Sequence, residues 1–94
     1  MGFRQRRKRA ELASRIEGGI ERTRATVARH RATLDKLEGS YDREVAEART
    51  PEEADAVRVQ REEALAGHRR EARELERGLT LMEGKAKARG LRVA

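Results

Sequence analysis

The sequence has no cysteine and no tryptophan, and only one phenylalanine, one tyrosine and one proline. Each shortage removes a class of explanation. Without cysteine there is no disulfide framework and no thiolate metal site, which fits a cytoplasmic protein. Aromatics are 2% and apolar residues 36% of the 94 residues, too little to fill a compact core. Long apolar runs are also missing: nothing approaches the ~20 residues of a membrane span. The basic start, Met1 to Arg9, has no apolar stretch behind it, unlike a secretory signal. Arg6 stands where a myristoylation motif needs Ser or Thr. Catalytic patterns are absent as well. There is no Gly-rich phosphate loop and no metal-binding His pair on a helix, and Ser14 and Ser40 have no base placed beside them. These absences lead us to expect a non-enzymatic protein with no cofactor and no bound metal.

Charge is abundant: 43% of residues are Asp, Glu, Lys or Arg. Such a composition suits either disorder or a long amphipathic helix. The apolar spacing decides for the helix. A first seam runs Leu12, Ile16, Ile20, Thr23, Val27, His30, Leu34, Leu37, Tyr41, Val45. A second runs Ala54, Val57, Arg61, Leu65, His68, Ala72, Leu75, Leu79, Met82, Ala86. Both step mostly by alternating threes and fours, the spacing of coiled-coil core positions.

Between the seams lies Ala48-Arg49-Thr50-Pro51-Glu52-Glu53. Thr50 is a candidate N-cap, Pro51 the first helical residue, and Glu53 the partner that completes a capping box. The expected fold is all-α: an antiparallel two-helix coiled-coil hairpin over residues 11–88, with its turn at 48–51. A flexible basic arm (1–10) and a flexible basic tail (89–94) flank it. Folding at Thr50 aligns Tyr41 with Val57, His30 with His68, Thr23 with Leu75 and Ile16 with Met82. The glycines predict interruptions. Gly18-Gly19 suggests a kink or frayed first segment, or a close approach of the helices near Gly78. Gly39-Ser40 suggests a break followed by a short helix over 41–49. Gly84 and Gly90 suggest that order fades toward the C-terminus. Two helices bury one narrow stripe, so we expect dimerisation into a four-helix bundle through Ile16, Ile20, Leu75, Leu79, Leu81 and Met82.

The net charge of +6 is unevenly placed. Arg4, Arg6, Arg7, Lys8 and Arg9 give the arm +5, and Lys85, Lys87, Arg89 and Arg92 give the other end +4. The remainder is −3, with Glu44, Glu47, Glu52, Glu53 and Asp55 near the turn. A hairpin therefore gathers the nine basic residues at one pole, a surface suited to phosphates. The expected function is a self-associating interaction protein that binds DNA or RNA through its backbone, as a phage or plasmid accessory factor does. The alternative is an adaptor or inhibitor whose apolar face docks on a larger protein. His30 and His68, facing each other in the seam, form either a solvated polar layer or a pH-sensitive one.

Overall fold

The computed structural model describes residues 2–93, the side chain of Phe3 excepted. Met1 and Ala94, the outermost residues of the expected arm and tail, lie outside that range. The chain forms two helices, α1 (Phe3–Glu47) and α2 (Pro51–Ala88), packed antiparallel along their length. The hairpin is a rod of 75 × 16 × 15 Å. Its radius of gyration is 20.8 Å, where a compact chain of this length has about 12 Å.

The turn follows the chemistry of its residues. Ala48 leaves the helix with φ −61° and ψ 136°. Thr50 is extended, as the residue before a proline prefers. Its Oγ1 accepts from the Glu53 N–H at 3.1 Å. The Glu53 carboxylate accepts from the Arg49 N–H at 3.0 Å, so the reciprocal bond of the capping box lands one residue early. Glu52 and Glu53 occupy the first turn, where the helix dipole favours anions.

The expected interruptions do not occur. α1 is continuous through Gly18-Gly19 and Gly39-Ser40, and residues 41–47 belong to it rather than to a separate helix. Residues 3–10, expected as a flexible arm, are its first turns. Each glycine costs about 1 kcal/mol relative to alanine, but both pairs sit between seam residues that α2 covers. A break there would uncover Ile16 and Ile20, or Leu37 and Tyr41. The close helix approach involves Gly19 rather than Gly78: a Cβ on Gly19 would lie 3.4 Å from Met82 Cε, whereas Gly78 faces open space.

Burial follows both seams. Every seam residue except Leu12 is at least half-buried. Ile20, Val27, Leu65, Ala72 and Ala86 form the core, with Leu65 at 0% exposure. Arg61, a charge within a seam, packs its stem and turns its guanidinium outward. Its Nε lies 3.1 Å from Asp42 Oδ1 and its Nη1 3.0 Å from Glu62 Oε1.

The register differs from the expected one. Thr23 Oγ1 reaches Met82 Sδ at 3.6 Å, one heptad beyond its expected partner Leu75. His30 lines a groove with Thr23, Glu71, Glu74 and Leu75. His68 is half-buried elsewhere along α2, so the facing-histidine layer is not formed. A slide of one heptad leaves the same residues in the seams, so apolar spacing cannot detect it. Side chains also lean toward the N-terminus of each helix, which advances the contacts further.

Flanking charges do discriminate. Ion pairs link Arg24 to Glu83 (3.4 Å), Arg31 to Glu76 (2.6 Å), Glu38 to Arg69 (3.1 Å) and Asp42 to Arg61 (3.1 Å). Sliding α2 back by a heptad would set Arg31 toward Arg69 and Glu38 toward Glu62. Exposed pairs contribute only ~0–1 kcal/mol each, but two of the four turn from attraction to repulsion on this slide, while Arg24 would still find a carboxylate, Glu76.

Two substitutions test this packing by chemical denaturation. Leu65→Ala should cost roughly 2–5 kcal/mol, because it empties a fully buried site. Gly39→Ala should stabilise by about 1 kcal/mol, since an added Cβ meets nothing within 4 Å and α1 is helical there. Destabilisation by Gly39→Ala would show that α1 breaks at that position.

Candidate nucleic-acid interface

The basic residues at the two chain ends occupy one end of the rod, in a staggered arrangement. α2 closes with a glycine stop. Gly90 has φ +76°; its N–H bonds Lys87 O at 2.9 Å, and the Leu91 N–H bonds Ala86 O at 3.0 Å. These paired bonds satisfy carbonyls that the helix end leaves open. They also fold Leu91 back, so that with Leu12, Ala13, Ile16, Arg9 and Arg89 it lines one groove. The expected loss of order at Gly90 is thus a helix stop, and residues 89–91 are a formed cap rather than a flexible tail. Gly at this position is the sequence signal for such a stop.

Arg9 and Arg89 meet across this groove. A second groove, formed by Ile16, Gly19, Met82 and Ala86, is edged by Arg15, Lys85 and Arg89. Arg15 therefore joins the basic end, although it follows Glu11 and lies outside the arm as drawn from the sequence. Arg4, Arg6, Arg7 and Lys8 are exposed on the first turns of α1, where α2 and its stop have already ended. Lys87 and Arg92 are exposed beside the stop.

Among the described residues, ion pairs occur only along the shaft, where five arginines take part and Arg22, Arg29, Lys36, Arg43, Arg49, Arg70, Arg73 and Arg77 do not. Arg24, Arg31, Arg61 and Arg69 are held by carboxylates of the opposite helix. Arg58 is paired with Asp55 within α2. None of the nine basic residues expected at the pole, nor Arg15, forms an ion pair with a described residue. Lys85 and Lys87 have a structural use, since they lie in the last turn of α2 and favour its dipole. The cations of α1 have the opposite relation to theirs: its first turn contains no acidic residue.

The residues expected to mediate self-association are mostly used within one hairpin. Ile20 is buried. Ile16, Leu75, Leu79 and Met82 are half-buried and line the grooves between α1 and α2. Leu81 alone of that set stands open, at 60% exposure, on the back of α2. Periodicity marks a residue for burial without saying which surface covers it. Among the described residues, no helix is long and apolar enough to cross a membrane.

Gly90→Ala should strain the stop, since a residue with a Cβ pays about 1 kcal/mol or more at this φ. The expected readout is a lower melting temperature and faster amide exchange at Leu91, with little change near the turn.

No protein-family model, curated protein or solved structure matches this chain, so the functional reading rests on its own charge and geometry.

Proposed function

We propose that this protein is a non-enzymatic coiled-coil interaction protein of the cytoplasm, which self-associates and binds nucleic acid through its basic end. The observation that carries the reading is the concentration of cations, without carboxylates, at one end of the rod. Residues 1–10 and 85–94 carry nine cations and no carboxylate side chain, and these cations are exposed, whereas along the shaft 14 basic residues are mixed with 17 acidic ones and five arginines are ion-paired. Unpaired cations concentrated on one surface attract polyanions, and arginine, the commoner cation here, offers forked donors that suit phosphate oxygens. Affinity then comes mainly from counterion release and falls with salt.

Self-association is supported by area. The chain exposes 7768 Å², whereas a compact monomer of 10.7 kDa exposes about 5,500 Å². The excess is on the order of 2,000 Å², comparable to a standard protein interface. The partly open groove at Leu12, Ile16 and Leu91 also supports the second reading, docking on a larger protein partner.

Protein purified with nuclease and high salt should shift labelled DNA or RNA at low salt and release it as salt rises. Sedimentation across a concentration series should show a dimer. Absence of any shift would reject the nucleic-acid reading, and a monomer at every concentration would reject self-association. A dimer that shifts no nucleic acid would leave the protein-docking reading in its place.

A further inference from the structure

We infer that the first turns of α1, carrying Arg4, Arg6, Arg7, Lys8 and Arg9, are an element for duplex DNA that seats in the major groove and holds phosphates on both walls. This rests on the nucleic-acid reading above and names the form of nucleic acid.

Three features lead there. The first is shape. α2 ends at Ala88 and its stop lines a groove with Arg9 to Ile16, so that among the described residues only Arg92 and Val93 follow it, and Arg4 to Arg9 are exposed. The projecting part, from Phe3 to Arg9, is roughly 10 Å long at 1.5 Å per residue, and a helix with its side chains is about 10–12 Å across. The B-DNA major groove is about 12 Å wide and 8.5 Å deep. The segment is continuous with α1 and so is held in line with the rod.

The second is the azimuth of the charges. By helical spacing, Arg4, Arg7 and Lys8 share one face, and Arg6 and Arg9 share the opposite one. A cationic helix charged on both sides matches a channel with anionic walls on both sides. A membrane surface calls for the reverse, one charged face and one apolar face.

The third is what the alternatives require. Single strands are held by aromatic stacking, and this end of the sequence offers Phe3 alone. Duplex RNA has a deep, narrow major groove that protein side chains cannot read. Within the protein, this charge arrangement opposes the helix. Arg4 with Lys8 and Arg6 with Arg9 are like-charge neighbours along α1, at the end where the dipole disfavours cations. A groove lined with phosphates relieves both penalties. Contacts to phosphates position a protein without reading sequence, so sequence-independent binding is expected.

The test is fluorescence anisotropy with a labelled DNA duplex of about 20 base pairs, the matching RNA duplex and the single strand, across a salt series. The DNA duplex should bind at least about tenfold more tightly than either competitor. Its affinity should fall by about five-hundredfold between 50 and 200 mM salt, as five phosphate contacts imply. Arg4→Gln/Arg7→Gln/Lys8→Gln should lower the salt slope by about 3, and Arg6→Gln/Arg9→Gln by about 2. Glutamine is a good helix former, and circular dichroism should confirm retained helix in both variants. Equal binding of RNA or single strands overturns the groove assignment, as does a slope that responds to only one of the two faces. Either outcome leaves the broader nucleic-acid reading standing. No binding to any of the three probes overturns both.

Discussion

Two helices can bury only the stripe along which they touch, and this molecule has almost nothing else with which to hold itself together. Five residues make the core, and two of them are alanines. A single stripe brings no third layer to hide apolar surface or charge, so the molecule becomes a rod with most side chains in water. The same constraint explains why α1 tolerates Gly18-Gly19 and Gly39-Ser40. Helix propensity there is poor, but every turn of the seam is needed for burial, and a break would expose more than it relieves.

A seam of this kind is weakly selective about alignment. Core positions recur with each heptad, so a slide of one heptad exchanges similar apolar neighbours. Selectivity falls to the margins, where Arg31 meets Glu76 and Glu38 meets Arg69. Each of these exposed pairs contributes little stability. Their effect on register is larger than that suggests, because the neighbouring alignment sets like charges toward each other. The carboxylates near the turn and the paired arginines of the shaft thus have structural work. At the open end Lys85 and Lys87 favour the dipole of α2, but the five cations of the first turns of α1 have no such use, and this gives the basic end its functional interest.

The turn and the helix stop divide the geometry between them. Thr50 and Pro51 fold the chain back, bringing residues from its two ends to the same end of the rod. Gly90 then ends α2 before α1 begins, and Leu91 closes over Ile16 and Leu12. The outcome is a step rather than a flush pole. Arg15, Lys85 and Arg89 gather on the paired part, Arg9 lies at the step, and Arg4 to Lys8 stand on α1 beyond it.

Much of this was legible in the residues alone. The alternating threes and fours predicted both helices, and the seam positions, Leu12 excepted, proved to be at least half-buried. Thr50-Pro51-Glu52-Glu53 placed the turn. These features are local, since periodicity and capping depend on residues within a few positions of one another. Register, glycine tolerance and the destination of each apolar face depend on a partner distant in sequence. The structure accordingly moved Thr23 from Leu75 to Met82, separated His30 from His68 and carried α1 unbroken past Gly18-Gly19 and Gly39-Ser40. It also assigned Ile20 to the hairpin's own core. The sequence by itself determined that there are two long helices and where the chain reverses. Only the tertiary structure decided how they slide past one another, because a repeating seam is satisfied by several alignments and the charges beside it by fewer.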